Sequence, residues 1–257
     1  MNRQPASKIN KNSFLRFLRP FVSARFWRLN IRTIQLKRSF RINGNHPYKD
    51  YLQYYYSREA NPYYEGIEDK WYILRPLIIE MADPKPGERI LDLGTGVGFQ
   101  AIAFAEEGFE TLGIDVVMDR IKLAKQRKER ANLSWLVADA VRLPLPSDSF
   151  DVVSVSLALH DMPISVLRVC FAEIQRVARR RVVIAEPRLP DHRLFSGLYR
   201  SAILFFDESI YLNEYLDANI ESMLERAGLR LIKRQSCIQN TLVIYACDIS
   251  KQKETPL

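Results

Sequence analysis

Three glycines and a series of carboxylates stand where this chain could work on a nucleotide-like ligand. Asp92 lies in the apolar run Ile90-Leu91-Asp92-Leu93, and Gly94, Gly96 and Gly98 follow at alternate positions. Glycine lacks Cβ, so its backbone takes unusual dihedrals and a ligand can lie against it. A strand feeding such a loop into a helix start is how doubly wound α/β proteins hold nucleotides. A dinucleotide fingerprint would need glycine at position 99, where Phe99 stands. A carboxylate just before the loop repels a pyrophosphate and suits a ligand carrying an ammonium group. Asp115 ends the next strand-like run, Glu110–Asp115, where a carboxylate can accept both hydroxyls of a ribose. Asp139 follows the run Leu133–Ala138. Beyond a fourth run, Phe150–Ser156, stands His160, whose ordinary pKa of about 6.5 suits a general base. The bland reading of His160 is a pocket wall or a helix-start hydrogen bond. His160 and Asp161 are adjacent in sequence and need not form a dyad.

These residues must be positioned by strands and helices in alternation. The five runs at 90–93, 110–115, 133–140, 150–156 and 181–187 are short and rich in β-branched residues, as in strands covered on both faces. Helices are expected at about 66–81, 98–107, 118–130, 163–178 and 214–227. Leu229–Cys237 and Thr241–Cys247 read as a closing hairpin that adds one antiparallel strand. The expected fold is α/β, a doubly wound, seven-stranded, mostly parallel sheet with an N-terminal helical extension. Each acid falls at a C-terminal strand end, the edge where open α/β sheets bind ligands.

Residues 92–98 match the first motif Asp/Glu-x-Gly-x-Gly-x-Gly without a gap, and acids follow at the right distances. In this the chain resembles the class I S-adenosylmethionine-dependent methyltransferases over about residues 66–247. The resemblance implies S-adenosylmethionine as cofactor, held by Asp92, Gly94, Thr95, Gly96, Gly98, Asp115, Val116, Asp139, Ala140, Ser156 and Leu157. It implies that Asp139 faces the adenine amino group. Within the family, the 157–163 run is similar to the broad group that includes ubiquinone and menaquinone methyltransferases. The expected activity is methyl transfer to a small, hydrophobic or lipid-like acceptor, with His160 as candidate base and no metal. The alternatives are a cofactor-binding module without catalysis and a nucleic-acid methyltransferase using the basic N-terminus. No Asn/Asp-Pro-Pro-Tyr follows the fourth run and no Pro-Cys nucleophile occurs, which disfavours amide, adenine and cytosine methylation.

Three domains are expected: an arm at 1–47, a tyrosine-rich lid segment at 48–82 and the cofactor-binding domain at 83–250. Eight of the twelve tyrosines fall between positions 48 and 72, so that segment could cover the ligand. The long connection 188–213 is expected to build the acceptor pocket. Residues 1–49 hold twelve basic residues and no acid, whereas the whole chain is +8. The remainder is therefore mildly acidic, which disfavours nucleic acid as a partner. Val22, Phe26, Leu29, Thr33, Leu36 and Phe40 recur at helical spacing within the arm. A basic amphipathic helix suits an anionic membrane surface. An acid-free, arginine-rich start also describes an organellar targeting segment, and a helix packed on the body is the third possibility. Cys170, Cys237 and Cys247 are odd in number and widely spaced, which speaks against a disulfide framework or a zinc motif. A cytoplasmic location follows from these features, with membrane association through 1–45 or an organellar one as alternatives. Nothing in the chain specifies an oligomeric state.

Overall fold

The computed structural model describes residues 48–57, 71–206, 209–238 and 240–250. The arm at 1–47 and the stretch 58–70 lie outside them, so the expectations placed there are not addressed. Helix α1 spans Tyr48–Tyr55 and α2 spans Leu74–Ala82. Alternation then begins: β1 (Arg89–Leu93), α3 (Phe99–Glu106), β2 (Glu110–Asp115), α4 (Met118–Arg127), β3 (Leu133–Val137) and β4 (Phe150–Ser156). A single 3-10 turn at Leu159–Asp161 leads into α5 (Ile164–Val177) and β5 (Ala178–Pro187). Helices α6 (Arg193–Phe206), α7 (Leu212–Asp217) and α8 (Ile220–Arg226) precede the hairpin of β6 (Leu229–Cys237) and β7 (Leu242–Ile249).

The seven strands lie in the order β3-β2-β1-β4-β5-β7-β6. All neighbouring pairs from β3 to β5 are parallel, and β7 runs antiparallel to both β5 and β6. Chain order reverses between β1 and β4, the switch point where such sheets open a crevice. Strand residues alternate between two cores, as the two-residue pleat requires. Leu91, Leu93, Val153, Val155, Val182 and Ile184 face one side with Leu167, Cys170, Phe171 and Ile174 of α5. Ile90, Val152, Val183 and Ala185 face the other with Leu74, Leu77, Ile78 and Met81 of α2. Burial on both faces explains why these strands read as continuous apolar runs.

Several boundaries differ from expectation. The third strand ends at Val137, so Ala138, Asp139 and Ala140 belong to the loop beyond it. The helix expected over 214–227 is broken in two at Ala218 and Asn219. The Asn219 side chain accepts the Ser222 N–H at 3.0 Å and caps α8, the role that pulls asparagine out of helix interiors. The helix expected from Gly66 begins, within the described residues, at Leu74. The connection 188–213 is mostly the fourteen-residue helix α6. All three cysteines are buried and unbridged, one on a helix and two on strands. No helix among the described residues is long and apolar enough to cross a membrane.

Candidate functional site

A cavity of about 50 Å³ opens over the C-terminal ends of β1 to β4. Its walls include Leu93 and Gly94 after β1, Asp115 to Val117 after β2, Ala138 to Ala140 after β3, and Leu157, Ala158, Asp161 and Met162 after β4. Tyr48, Leu52 and Tyr56 cover it from the α1 side, and Arg120 closes the α4 side.

The glycine loop is built by backbone need. Gly94 has φ +68°, and a Cβ there would stand 2.5 Å from the Ala158 Cβ. Gly98 caps α3 at φ +90°, and a Cβ would meet the Trp135 ring at 2.5 Å. Glycine at 94 thus keeps the β1 and β4 loops in contact, and glycine at 98 lets α3 lie on β3. The loop amides are spent internally. Thr95 N–H donates to Ile114 O at 2.8 Å, Gly98 N–H to Thr95 O at 2.9 Å, and Gly96 N–H to Asp115 Oδ2 at 2.8 Å. A phosphate would have to displace a carboxylate from those donors, so the loop does not suit a pyrophosphate.

Asp92 is 1 % exposed and accepts the Thr95 hydroxyl at 2.6 Å. Burial pushes its carboxyl up to about 6, against the pull of Thr95 and the Arg75 charge. Asp92 and Thr95 therefore brace the loop from below rather than line the cavity. Arg75 of α2 donates to Gln100 at 3.3 Å and to Ser156 Oγ at 3.4 Å. That places Ser156 behind the loop too, while Leu157, at φ +54°, turns into the cavity wall.

Asp115 sits in the cavity and accepts N–H groups from Gly96 and Val117 at 2.8 and 2.9 Å. Burial raises its carboxyl above the ordinary range, against the Arg120 charge and these amides. Asp139 is held differently. The Tyr48 hydroxyl donates to its Oδ1 at 2.6 Å, and Lys49 pairs with its other oxygen. Burial pushes this carboxyl up, but Lys49 and Tyr48 outweigh it and leave it below its ordinary value. Asp161 accepts the Tyr56 hydroxyl at 2.7 Å, and the Arg120 guanidinium lies 3.6 Å from the Tyr56 ring centroid. The helix α1 is thereby fastened to two of the cavity's three acids.

His160, the candidate base, follows β4 as expected but does not line the cavity. It is 7 % exposed, and its Nδ1 lies 2.6 Å from Glu186 Oε2. Its backbone carbonyl accepts the Ser209 hydroxyl at 2.7 Å, and its ring sits beside Tyr215 at 6.3 Å between centroids. The physical reason is Glu186, fully buried at the end of β5, whose Oε1 takes the N–H groups of Ala158 and Leu159 at 2.9 and 2.7 Å. One carboxylate thus pins the turn after β4 and draws the histidine inward. The one charged side chain this turn offers to the cavity is Asp161, beside Leu157, Ala158 and Met162.

Of the expected ligand residues, Gly94, Asp115, Val116, Asp139, Ala140 and Leu157 line the cavity, while Asp92, Thr95, Gly96, Gly98 and Ser156 stand outside its wall. Among the described residues at 188–213 none lines it, although Tyr211 packs edge-on against Tyr51 of α1 at 5.9 Å. Sequence reasoning named Asp161 only as the neighbour of His160 and did not single out Arg120 or Glu186. Glu186 had a readable sign, an acid ending an apolar strand just as Asp115 does. Among the described residues no group of three or more His, Cys, Asp or Glu is placed to hold a metal.

Residues 91–185 match the family model of the methyltransferase domain. A demethylmenaquinone methyltransferase of Beutenbergia cavernae is 32 % identical over 136 residues, which cover 52 % of this chain and 54 % of that protein. The chain spans a little over half the length of the curated relatives it matches. Among solved structures, magnesium protoporphyrin IX methyltransferase from Synechocystis, with bound S-adenosylhomocysteine, aligns at a TM-score of 0.59 and 17 % identity. It covers 79 % of this chain and all of that one. Phosphoethanolamine N-methyltransferase 2 of Haemonchus contortus, with S-adenosylmethionine, aligns at 0.62 and 18 % identity, over 81 % of this chain and 61 % of that one. At such identities the structures speak for the fold.

Proposed function

Since the chain carries a class I S-adenosylmethionine-dependent methyltransferase domain, we propose that it transfers the methyl group of S-adenosylmethionine to a small, hydrophobic or lipid-like acceptor. The observation that carries this reading is the cavity over β1 to β4, lined by Gly94, Asp115 and Asp139 at successive strand ends. The wall suits the cofactor. Asp115 keeps spare lone pairs for two ribose hydroxyls. Val116, Ala140 and Leu157 offer apolar surface for an adenine, and Asp139 an acceptor for its amino group. The internally satisfied loop amides, with acids around them, favour a cationic ligand over a pyrophosphate. When bound, the cofactor supplies a methyl group on a positively charged sulfur. The protein's part is to hold an acceptor close and in line with it, which is where much of such a rate arises.

The cavity of about 50 Å³ is far smaller than the roughly 300 Å³ or more of a ligand site. Entry therefore requires Tyr48, Leu52 and Tyr56 to withdraw, and α1 acts as a lid. The apolar part of the wall, Leu52, Leu93, Leu157 and Met162, supports a hydrophobic acceptor, as do relatives named for demethylmenaquinone. Titration calorimetry with S-adenosylhomocysteine and with NAD tests the cofactor, and label transfer from methyl-labelled S-adenosylmethionine into a lipid extract tests the reaction. Binding of NAD alone would remove the reading.

A further inference from the structure

We infer that Asp161 is the catalytic residue that takes a proton from a hydroxyl group of the acceptor. The inference rests on the methyl-transfer reading above and deepens it. Asp161 is 6 % exposed and lines the cavity. Its Oδ2 is engaged by the Tyr56 hydroxyl at 2.7 Å, and its Oδ1 is buried with no hydrogen-bond partner. A buried carboxylate oxygen left without a donor is costly, and one that belongs to a cavity wall is placed to be completed by a ligand's donor. The other two acids of the wall have both oxygens in contact with protein donors, Asp115 with the Gly96 and Val117 amides and Asp139 with Tyr48 and Lys49, and their remaining lone pairs are assigned to the ribose and the adenine.

Its place along the sheet says what that oxygen faces. Asp139, Asp115, Gly94 and Asp161 follow β3, β2, β1 and β4, which are neighbours in that order. A ligand that put its adenine at Asp139 and its ribose at Asp115 would run its sulfur end toward β1 and β4, the side on which Asp161 stands. The turn is held to the precision that chemistry needs. Glu186 fixes the Ala158 and Leu159 amides and the His160 ring, and Asp161 N–H donates to Ala158 O at 3.3 Å. His160 and Glu186 are thus positioning residues. In the step, the acceptor's O–H bond breaks and its proton goes to Asp161 Oδ1. The freed electron pair forms the bond to the methyl carbon. The pair of the broken S–C bond stays on sulfur. Tyr56, on the lid side of the cavity, orients the carboxylate through its hydroxyl.

Two binding measurements on the full chain test this without a known natural acceptor. The first compares S-adenosylhomocysteine with sinefungin, the analogue whose ammonium group stands where the methylated sulfur would be. The parent is expected to bind sinefungin at least about tenfold more tightly, and Asp161→Asn to lose that preference while keeping its affinity for S-adenosylhomocysteine. The second titrates dihydroxynaphthalene and its dimethyl ether into the parent loaded with S-adenosylhomocysteine. The diol is expected to bind more tightly, and Asp161→Asn to erase the difference. A parent with no preference in either comparison overturns the inference without any variant. Equal loss of both cofactor analogues in Asp161→Asn also overturns it, since that marks a contact to the amino-acid end. A parent that binds neither analogue instead overturns the methyltransferase reading itself.

Discussion

At the scale of single residues, the glycine loop and Asp92 give two separable tests. A methyl group at position 94 meets Ala158 Cβ at 2.5 Å and sits at φ +68°, so Gly94→Ala must push the β1 and β4 loops apart. We expect S-adenosylhomocysteine affinity to fall about tenfold or more, roughly 1.4 kcal/mol or above. Adding Ala158→Gly removes the contact but not the unfavourable φ, so it should restore affinity only in part; calorimetry on both variants checks this. Asp92 is a stability residue. Its folded pKa of about 6 lies above the ordinary 3.8, so the folded state holds the proton more tightly than the unfolded chain. That contribution is absent below the unfolded value, destabilises increasingly as pH rises from 3.8 to about 6, and is constant above. Asp92→Asn retains an acceptor for Thr95 and should gain up to about 3 kcal/mol at neutral pH and nothing near pH 3. Denaturant unfolding of both forms across that range measures it, and parallel curves would refute it. The acid and the glycines were legible in sequence because backbone geometry allows few residue types there. Which acid faces the ligand was not legible. Asp92 and Asp115 stand in the same pattern and on the same sheet face, since Asp92 lies beside Gly113, and what separates them is depth: Asp92 stops one residue short of its strand's end, whereas Asp115 ends its strand.

At the scale of elements, strands were more legible than helices and loops. Strands β1 and β4 flank the switch point and β2 lies beside β1, and the apolar runs of all three end at residues fixed by burial on both sides. The ends of β3 and the break between α7 and α8 depend on local hydrogen bonds that hydrophobic pattern does not encode, such as the Asn219 cap. Helix α1 is the instructive case. Its tyrosines read as a cover, and buried Tyr48, Tyr51, Leu52 and Tyr55 follow helical spacing. What sequence spacing could not give is its fastening to Asp139 and Asp161, 91 and 105 residues away from the tyrosines that bind them. A hydrogen bond to a charged group contributes about 1.5–3 kcal/mol. Tyr48→Phe removes one and leaves Asp139 paired with Lys49. Amide exchange over residues 48–57 should then quicken by about tenfold, and S-adenosylhomocysteine should associate faster because the lid opens more often. Unchanged exchange in that segment would show that α1 is held by packing alone.

At the scale of the whole molecule, charge is divided between two regions. Residues 50–257 carry a net charge of −4, and residues 1–45 carry eleven basic residues and no acid. That division was plain in sequence, and the described residues, which begin at Tyr48, leave the arm's own conformation aside. A methyltransferase whose acceptor is dissolved in lipid has to meet it at a surface, and no described helix spans a membrane. We propose that the arm offers the means. Each basic residue near an anionic bilayer contributes about 1 kcal/mol, and the stripe of Val22, Phe26, Leu29, Leu36 and Phe40 adds apolar burial. Such attraction is reversible and weakens as salt shortens the range of the charges. We therefore expect the full chain to co-sediment with phosphatidylserine-containing vesicles at low ionic strength and to dissociate as salt is added. A chain beginning at Tyr48 should stay in the supernatant. It should nevertheless bind S-adenosylhomocysteine as before, because Tyr48, Lys49 and every residue of the cavity wall remain. Vesicle binding that survives removal of the arm would place the membrane surface on the body instead. Absence of binding by the full chain would leave the arm a packed helix or a targeting segment.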